Sequence, residues 1–336
     1  MTPTGGAALH PRTRGVLNGV LLAFVLGASL LWFLAYLEAS KMGTDRPQLF
    51  NDGYTYLAAA ERLNAGHELY RLQPGDRPVL TIPGVYEAPL LSPPPIAAIW
   101  RIVAAVPFGF ALWMVAAWLA TIAAVAYVVL RAPFPGAPLA LLLSLPLGEQ
   151  VFGGNACAFY PLFYLLAWRY RDHAWIGGLV AIMAAIKLAP IAMGAWLLGT
   201  RRYRALGVAA AGLALLFVVG GLGAGFDSYL DYVAMIPLVG PSPMSISGMT
   251  GLSWASYAAF GVGIIASIVV ARRSSAWSYV IAVLASVLGT PALYPGHLAS
   301  LLALVAPLTD RRPSVQPGPQ PEPTGVGRLL AAVRTR

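Results

Sequence analysis

The chain has 336 residues, 58% of them hydrophobic and only 10% charged, against roughly 25% charged in soluble domains. With a mean hydropathy of +0.70, this excludes a soluble globular enzyme and defines an all-α polytopic membrane protein. The net charge of +9 does not imply nucleic acid, because no basic soluble domain is present. Many of the positive residues lie at the N-terminus, in 201–204, at 272–273 and in the C-terminal tail, a placement that fits cytoplasmic anchoring.

In chain order, residues 1–14 are short and basic (His10, Arg12, Arg14) and belong on the cytoplasmic side. The apolar stretch at 16–37 is longer than the roughly 7–15 residues of a signal-peptide core, so it reads as an uncleaved signal anchor. Residues 38–88 then lie outside. Further spans are expected near 89–106, 108–130, 136–152, 155–169, 174–199, 205–222, 253–271, 275–292 and 296–309, about ten in all. Several are shorter than the ~20 residues a straight span needs. Both termini are then cytoplasmic, with loops 38–88, 223–252 and the 290–297 turn outside. The positive-inside rule agrees at 201–204, 272–273 and 311–312 but fails at Arg131 and at "RYRDH" (169–173). Either one middle segment is re-entrant, or these arginines work at the outer face. The tail 313–336 is proline-rich and expected to be disordered, leaving 1–312 as one integral membrane domain.

One polar segment interrupts the grease: "NDGYTYLAAAERLNAGHELY", 51–70. As a helix over 53–65 it puts Tyr56, Ala60 and Leu63 on one face and Glu61 and Arg62 opposite, with Gly66 as its stop. That is an amphipathic helix lying on the outer membrane surface. Asp52 heads it, either as an N-cap worth ~1 kcal/mol or as a chemical group.

Lys187 sits deep in an apolar run with Pro190 behind it. An ionisable residue there is a functional candidate, and the proline breaks the helix. The ammonium either satisfies the carbonyls freed by that break or binds a phosphate, with Glu149 a possible partner. Arg101 reads as snorkelling at the cytoplasmic end of its span, and Asn155 in "FGGN" as a buried helix cap. Tyr54, Tyr56, Tyr86, Trp100 and Tyr294 form an aromatic belt or stack on sugar rings. Asp227 and Asp231, four apart, read as a juxtamembrane helix rather than a metal site. The single Cys157 excludes an intrachain disulfide. The four histidines have no ligand spacing, and no P-loop, GxGxxG or DxD occurs, so neither a metal nor another cofactor is expected.

Segment 51–70 is followed by "YEAPLLSPPPIAAIW" (86–100), by the run from "FGGNACAFYPLFYLL" through "AAIKLAPIAMG" to "GTRRYRA", and by "GTPALYPGHLASLLALVAPL". Taken together the chain resembles glycosyltransferase family 87, the polyprenyl-phosphate-mannose-dependent mannosyltransferases of bacterial membranes. It is most similar to those that extend mycobacterial phosphatidylinositol mannosides. The resemblance runs piecewise over about residues 15–310. It rests chiefly on Asp52, Tyr54, Tyr56, Ala58 and Ala59 with Leu63, Gly66, Leu69 and Tyr70, then on Pro93-Pro94, then on Lys187-Leu188-Ala189-Pro190.

The resemblance implies a GT-C-like bundle with the active site on the extracytoplasmic face of the plasma membrane. It implies a polyprenyl-phosphate sugar as donor, a lipid or glycan as acceptor, inversion at the anomeric carbon, and Asp52 as the catalytic aspartate. Thr290, Pro291, Tyr294 and His297 match the family's serine-proline…tryptophan…histidine stretch, whose usual histidine position falls on Gly296. Asp52 would be the general base and His297 would hydrogen-bond the donor phosphate or assist proton removal. The substrate-binding set would be Tyr54, Tyr56, Arg71, Tyr86, Asn155, Lys187 and Tyr294. Lys41 and Arg77 are further outer cations for the phosphate, with solvated loop charge as the plainer reading of Arg71 and Arg77. The alternatives are a related pentose or hexose transferase of the same fold, or a transporter or lipid flippase, although the chain shows only one helix break and no matching second half.

Overall fold

The structure, a computed structural model, describes residues 11–41, 51–70, 90 and 92–310. Among these residues every regular element is a helix: α1 (Pro11–Lys41), α2 (Asn51–Asn64), α3 (Pro94–Ala105), α4 (Gly109–Arg131), α5 (Pro133–Leu142), α6 (Ser144–Phe152), α7 (Tyr160–Arg169), α8 (Ile176–Ile186), α9 (Ala192–Gly199), α10 (Tyr203–Ala224), α11 (Asp227–Val239), α12 (Ile246–Thr250), α13 (Ala255–Ala271) and α14 (Ser275–Leu288), with 3₁₀ turns at Ala156–Phe159 and Ala189–Ile191 and a 3₁₀ helix at Pro295–Thr309. Three stretches, Gly15–Ala35, Gly109–Arg131 and Tyr203–Ala224, are long and apolar enough to cross a membrane. The other elements expected as spans are shorter. Prolines set many of their starts: Pro133, Pro161 and Pro295 each stand in the first turn of a helix, where a missing N–H leaves no bond unmade.

Contacts between distant residues define two ends of the bundle. At one end Arg171 pairs with Asp310 at 2.7 Å, Arg202 Nε donates to the Arg171 carbonyl at 2.8 Å, and Arg202 reaches Ser275 at 3.3 Å. Tyr127 bonds Thr309 at 3.1 Å and brings Arg131, whose guanidinium lies 6.0 Å from the Tyr127 ring, to the same end. This is the arginine end. Asp52 and the far end of α10 lie at the other.

Two half-helices make that arrangement possible, and both depart from the spans expected from the sequence. Arg171 and Arg202 are bonded across 31 residues, so 174–199 leaves the arginine end and returns to it as a hairpin. The first arm, α8, runs alongside α10 in the same direction, because Gly177 faces Ala205 and Ala209 while Ala181 faces Gly212. The chain turns at Lys187, which is extended at φ −145 and ψ 133, and α9 comes back. The second half-helix is α3. Pro95 packs on Gly220 and Ala98 on Gly223, so α3 begins well up α10 and never reaches the arginine end. Arg101 lies against the far end of α10, donating to Gly223 O at 2.7 Å and to Asn64 at 2.8 Å, where a free, snorkelling side chain was expected. The short α3 brings Arg131 and 169–173 to the arginine end, and the hairpin keeps 201–204 there. Arg131, 169–173 and 201–204 then share one end of the bundle.

Small residues let the backbones close. A Cβ on Gly177 would stand 2.0 Å from the Ala205 carbonyl oxygen, so α8 and α10 approach through glycine and alanine, as helices packed in lipid do. The base of the hairpin is locked by aromatics: Trp168, Trp196 and Tyr279 have ring centroids 5.0–6.2 Å apart. Arg201 closes α9 at φ 58. Its N–H reaches Leu198 O at 3.0 Å and the Arg202 N–H reaches Leu197 O at 2.8 Å, the paired bonds of a Schellman ending in which glycine is the usual residue. A side chain in that conformation costs roughly 1–2 kcal/mol.

Candidate functional site

Helix α2 carries Asp52. Of its expected face Tyr56 and Ala60 are buried and Leu63 half-buried, Ala59 is buried beside them, and the helix packs on α3 rather than lying free on a surface. Arg62 is not on the exposed face with Glu61. It is 4% exposed and donates to Leu69 O at 3.0 Å, because the chain folds back after Gly66. That glycine, at φ +82, ends α2 with His67 N–H on Arg62 O and Gly66 N–H on Leu63 O.

Asp52 falls in the first turn of α2. Its side chain does not cap the helix. It accepts a hydrogen bond from Asn155 Nδ2 at 2.7 Å. Backbone contact sets this up: Gly53 N–H donates to Gly153 O at 3.0 Å, and a Cβ on Gly154 would lie 3.1 Å from Gly53 Cα. Gly154 has φ +70, so close approach and left-handed backbone both call for glycine there. Asn155 does two jobs. Its Oδ1 caps the turn Ala156–Phe159 by accepting from Cys157 N–H at 2.8 Å, with Tyr56 Oη at 3.4 Å. A backbone N–H only donates, so the oxygen faces Cys157 and the amide faces Asp52. The cap expected for Asn155 is present, and the contact with Asp52 comes in addition.

The hairpin tip supplies the cation. Lys187 Nζ lies 2.6 Å from His297 Nε2, while His297 Nδ1 accepts from the Tyr294 N–H at 2.9 Å. With Nδ1 accepting, the ring hydrogen lies on Nε2 and is donated to Nζ. Glu149 lies near both clusters, since Asp52 and Lys187 each act on its carboxyl electrostatically. Lys187 and Glu149 are neighbours without an ion pair, and the lysine's direct partner is the histidine.

Of the expected residues, Asp52, Tyr56 and Asn155 form one linked cluster and Lys187, Tyr294 and His297 the other. Tyr54 is 51% exposed and stacks on Phe110 at 5.1 Å. Arg71, Arg77 and Tyr86 and the side chain of Lys41 lie outside the described residues. Two residues outside the expected substrate-binding set lie beside the site. Glu149, expected only as a possible partner of Lys187, is one. Gln150 is the other: it is buried, its Oε1 has no hydrogen-bond partner, and a Cβ on Gly296 would meet its Nε2 at 2.5 Å. The signal for both was an adjacent acid and amide inside an apolar run. Among the described residues, no three of His, Cys, Asp and Glu come together as a metal set.

An apolar helical bundle with its polar groups gathered beside a broken half-helix defines a membrane protein built around an internal site. The chain belongs to glycosyltransferase family 87, whose sequence model matches residues 91–312. The match contains Asn155, Lys187, Tyr294 and His297, while Asp52 precedes it. No curated protein and no solved structure matches the chain.

Proposed function

We propose that this glycosyltransferase moves a mannosyl residue, with inversion, from a polyprenyl-phosphate sugar to a lipid or glycan acceptor at the extracytoplasmic face of a bacterial plasma membrane. One observation carries the reading: Asp52, held by Asn155, and Lys187, bonded to His297, both lie close enough to Glu149 to act on its carboxyl. Asn155 occupies Asp52 Oδ2, and Oδ1 is the oxygen that takes the proton of the acceptor hydroxyl. The hydroxyl oxygen attacks the anomeric carbon, the bond from that carbon to the phosphate oxygen breaks, and polyprenyl phosphate leaves with the electron pair. Lys187, protonated and turned from the ring to the donor phosphate, neutralises the charge that develops there, and the His297 Nε2–H adds a hydrogen bond to it. A single displacement inverts the centre and needs no carboxylate nucleophile.

Tyr54 and Tyr294 offer exposed rings to the sugars, and the unmet Gln150 oxygen suits a sugar hydroxyl. Tyr56 braces Asn155. Arg71 and Tyr86 belong to the substrate-binding set on the family resemblance alone. The same chemistry would serve another polyprenyl-phosphate hexose or pentose.

The test is transfer from short-chain polyprenyl-phosphate mannose by the purified protein, with a membrane-lipid extract as acceptor. Wild type is expected to transfer, and Asp52→Asn to lose about 10²–10⁴-fold in rate while still binding the donor. A folded wild type that binds polyprenyl-phosphate pentose but not polyprenyl-phosphate mannose would overturn the mannosyl reading. Full turnover by Asp52→Asn would overturn the assignment of the base.

A further inference from the structure

At the arginine end, away from Asp52, a cavity of about 490 Å³ opens between the close of α9 and the start of α14. Its size falls within the ~300–1,000 Å³ of small-molecule sites. Arg201, Arg202 and Arg272 line it with Ser275, over a floor of Gly199 and Ala271. Arg202 is held in place by Arg171 O and Ser275 Oγ and lies 5.1 Å from the Trp196 ring. Of the nearby carboxylates, Asp310 is engaged outside the cavity, with Arg171 at 2.7 Å, while Asp172 stands 3.7 Å from Arg202 and offsets part of its charge. Arg201 and Arg272 make no ion pair among the described residues.

Arg201 is the telling residue. It stands at the left-handed position closing α9, where glycine would be unstrained, and it keeps a long cationic side chain there. Strain of this kind is an observation from which function can be argued. The surroundings name the ligand's other half. Beside the cavity Tyr203 and Trp277 are exposed, and the outer flank of α13 presents Val262, Ile265 and Val269. A ring of arginines, two interfacial aromatics and an adjoining apolar flank match a phosphate headgroup with its chains alongside.

We propose that this cavity binds the headgroup phosphate of an anionic membrane lipid. The inference stands apart from the sugar-transfer reading, since none of its residues enters that chemistry.

The experiment is thermal unfolding of the full-length protein in neutral detergent. Dioleoyl phosphatidylglycerol, dioleoyl phosphatidylcholine or inorganic phosphate is titrated into wild type and the variants Arg201→Gly, Arg272→Gln and Arg169→Gln. Phosphatidylglycerol is expected to raise the midpoint by about 2–4 °C per tenfold increase above its Kd, and phosphatidylcholine to leave it unchanged. Arg201→Gly is expected to melt at or above the wild-type temperature without lipid, because the strain is relieved, and to lose most of the lipid-dependent rise. Arg272→Gln loses it too. Arg169→Gln, an exposed arginine of the same end outside the cavity, keeps it. A full rise in Arg201→Gly and Arg272→Gln, or an equal rise with phosphatidylcholine, overturns the site. A rise that inorganic phosphate reproduces in full overturns the lipid as its source.

Discussion

Asn155 holds two bonds of different kinds, and two substitutions separate them. Asn155→Ala removes both the 2.7 Å bond to the Asp52 carboxylate and the 2.8 Å cap on Cys157 N–H. A hydrogen bond to a charged group contributes roughly 1.5–3 kcal/mol and a helix N-cap about 0.5–2 kcal/mol, so the alanine variant should lose on the order of 2–5 kcal/mol of stability. Asn155→Asp keeps an oxygen for the cap but sets a second carboxylate against Asp52. Its stability should lie between that of wild type and that of the alanine variant. Transfer falls in both. If the bond orients Asp52 mainly in the transition state, 1.5–3 kcal/mol corresponds to about 10–150-fold in kcat, and the aspartate variant should be the slower one because it repels the base as well. Thermal unfolding and initial transfer rates, measured on the same preparations, give both orders. An Asn155→Asp enzyme with wild-type kcat would refute the argument that Asn155 positions Asp52.

Lys187→Met should leave the fold intact and reduce kcat far more than donor binding, as the kcat/KM split would report, since the methionine keeps the length of the side chain and loses only the amine bonded to His297. Gly177→Ala puts a methyl 2.0 Å from the Ala205 carbonyl. It should destabilise by about 1–3 kcal/mol or more, seen as a lower midpoint in a thermal melt. Gly66→Ala meets no atom within 4 Å but must adopt φ +82, so its cost should be about 1–2 kcal/mol from backbone strain alone. Cysteines placed singly at 172 and 204 in a Cys157→Ser background should be labelled by a membrane-impermeant maleimide from the same side, with a cysteine at 54 labelled from the other. Labelling of 172 and 204 from opposite sides would dismiss the hairpin.

Parts of this architecture announce themselves in the residues. Asp52 stands out because it heads the one polar segment of an apolar chain, though capping was as open a reading as chemistry, and the Gly66 stop and the Lys187–Pro190 break follow from backbone chemistry. Other parts depend on what arrives from far along the chain. The run 174–199 has the length and composition of a straight span, and hydropathy carries no sign for a reversal of direction; only Lys187 and Pro190 mark the turn. Arg62 was assigned to the wet face because nothing local shows the Leu69 carbonyl folding back over it. Asn155 was legible as a cap, a matter of two residues, but not as the partner of an aspartate 103 positions earlier. Glu149 and Gln150 border the site because Gly296 offers no side chain to hold them off, a contact between segments that sequence spacing cannot encode.

The two half-helices have a consequence for reading the chain as a path. A segment that enters and leaves by the same door changes nothing about where the path goes next. Counting α3 as a crossing inverts the orientation assigned to everything between Arg131 and Arg171, and counting the hairpin as a crossing inverts it back. The two miscounts have opposite parity effects and cancel at Arg202. Two maps that agree at both ends of a chain can therefore differ throughout its middle third, and an orientation reporter fused near either end does not tell them apart.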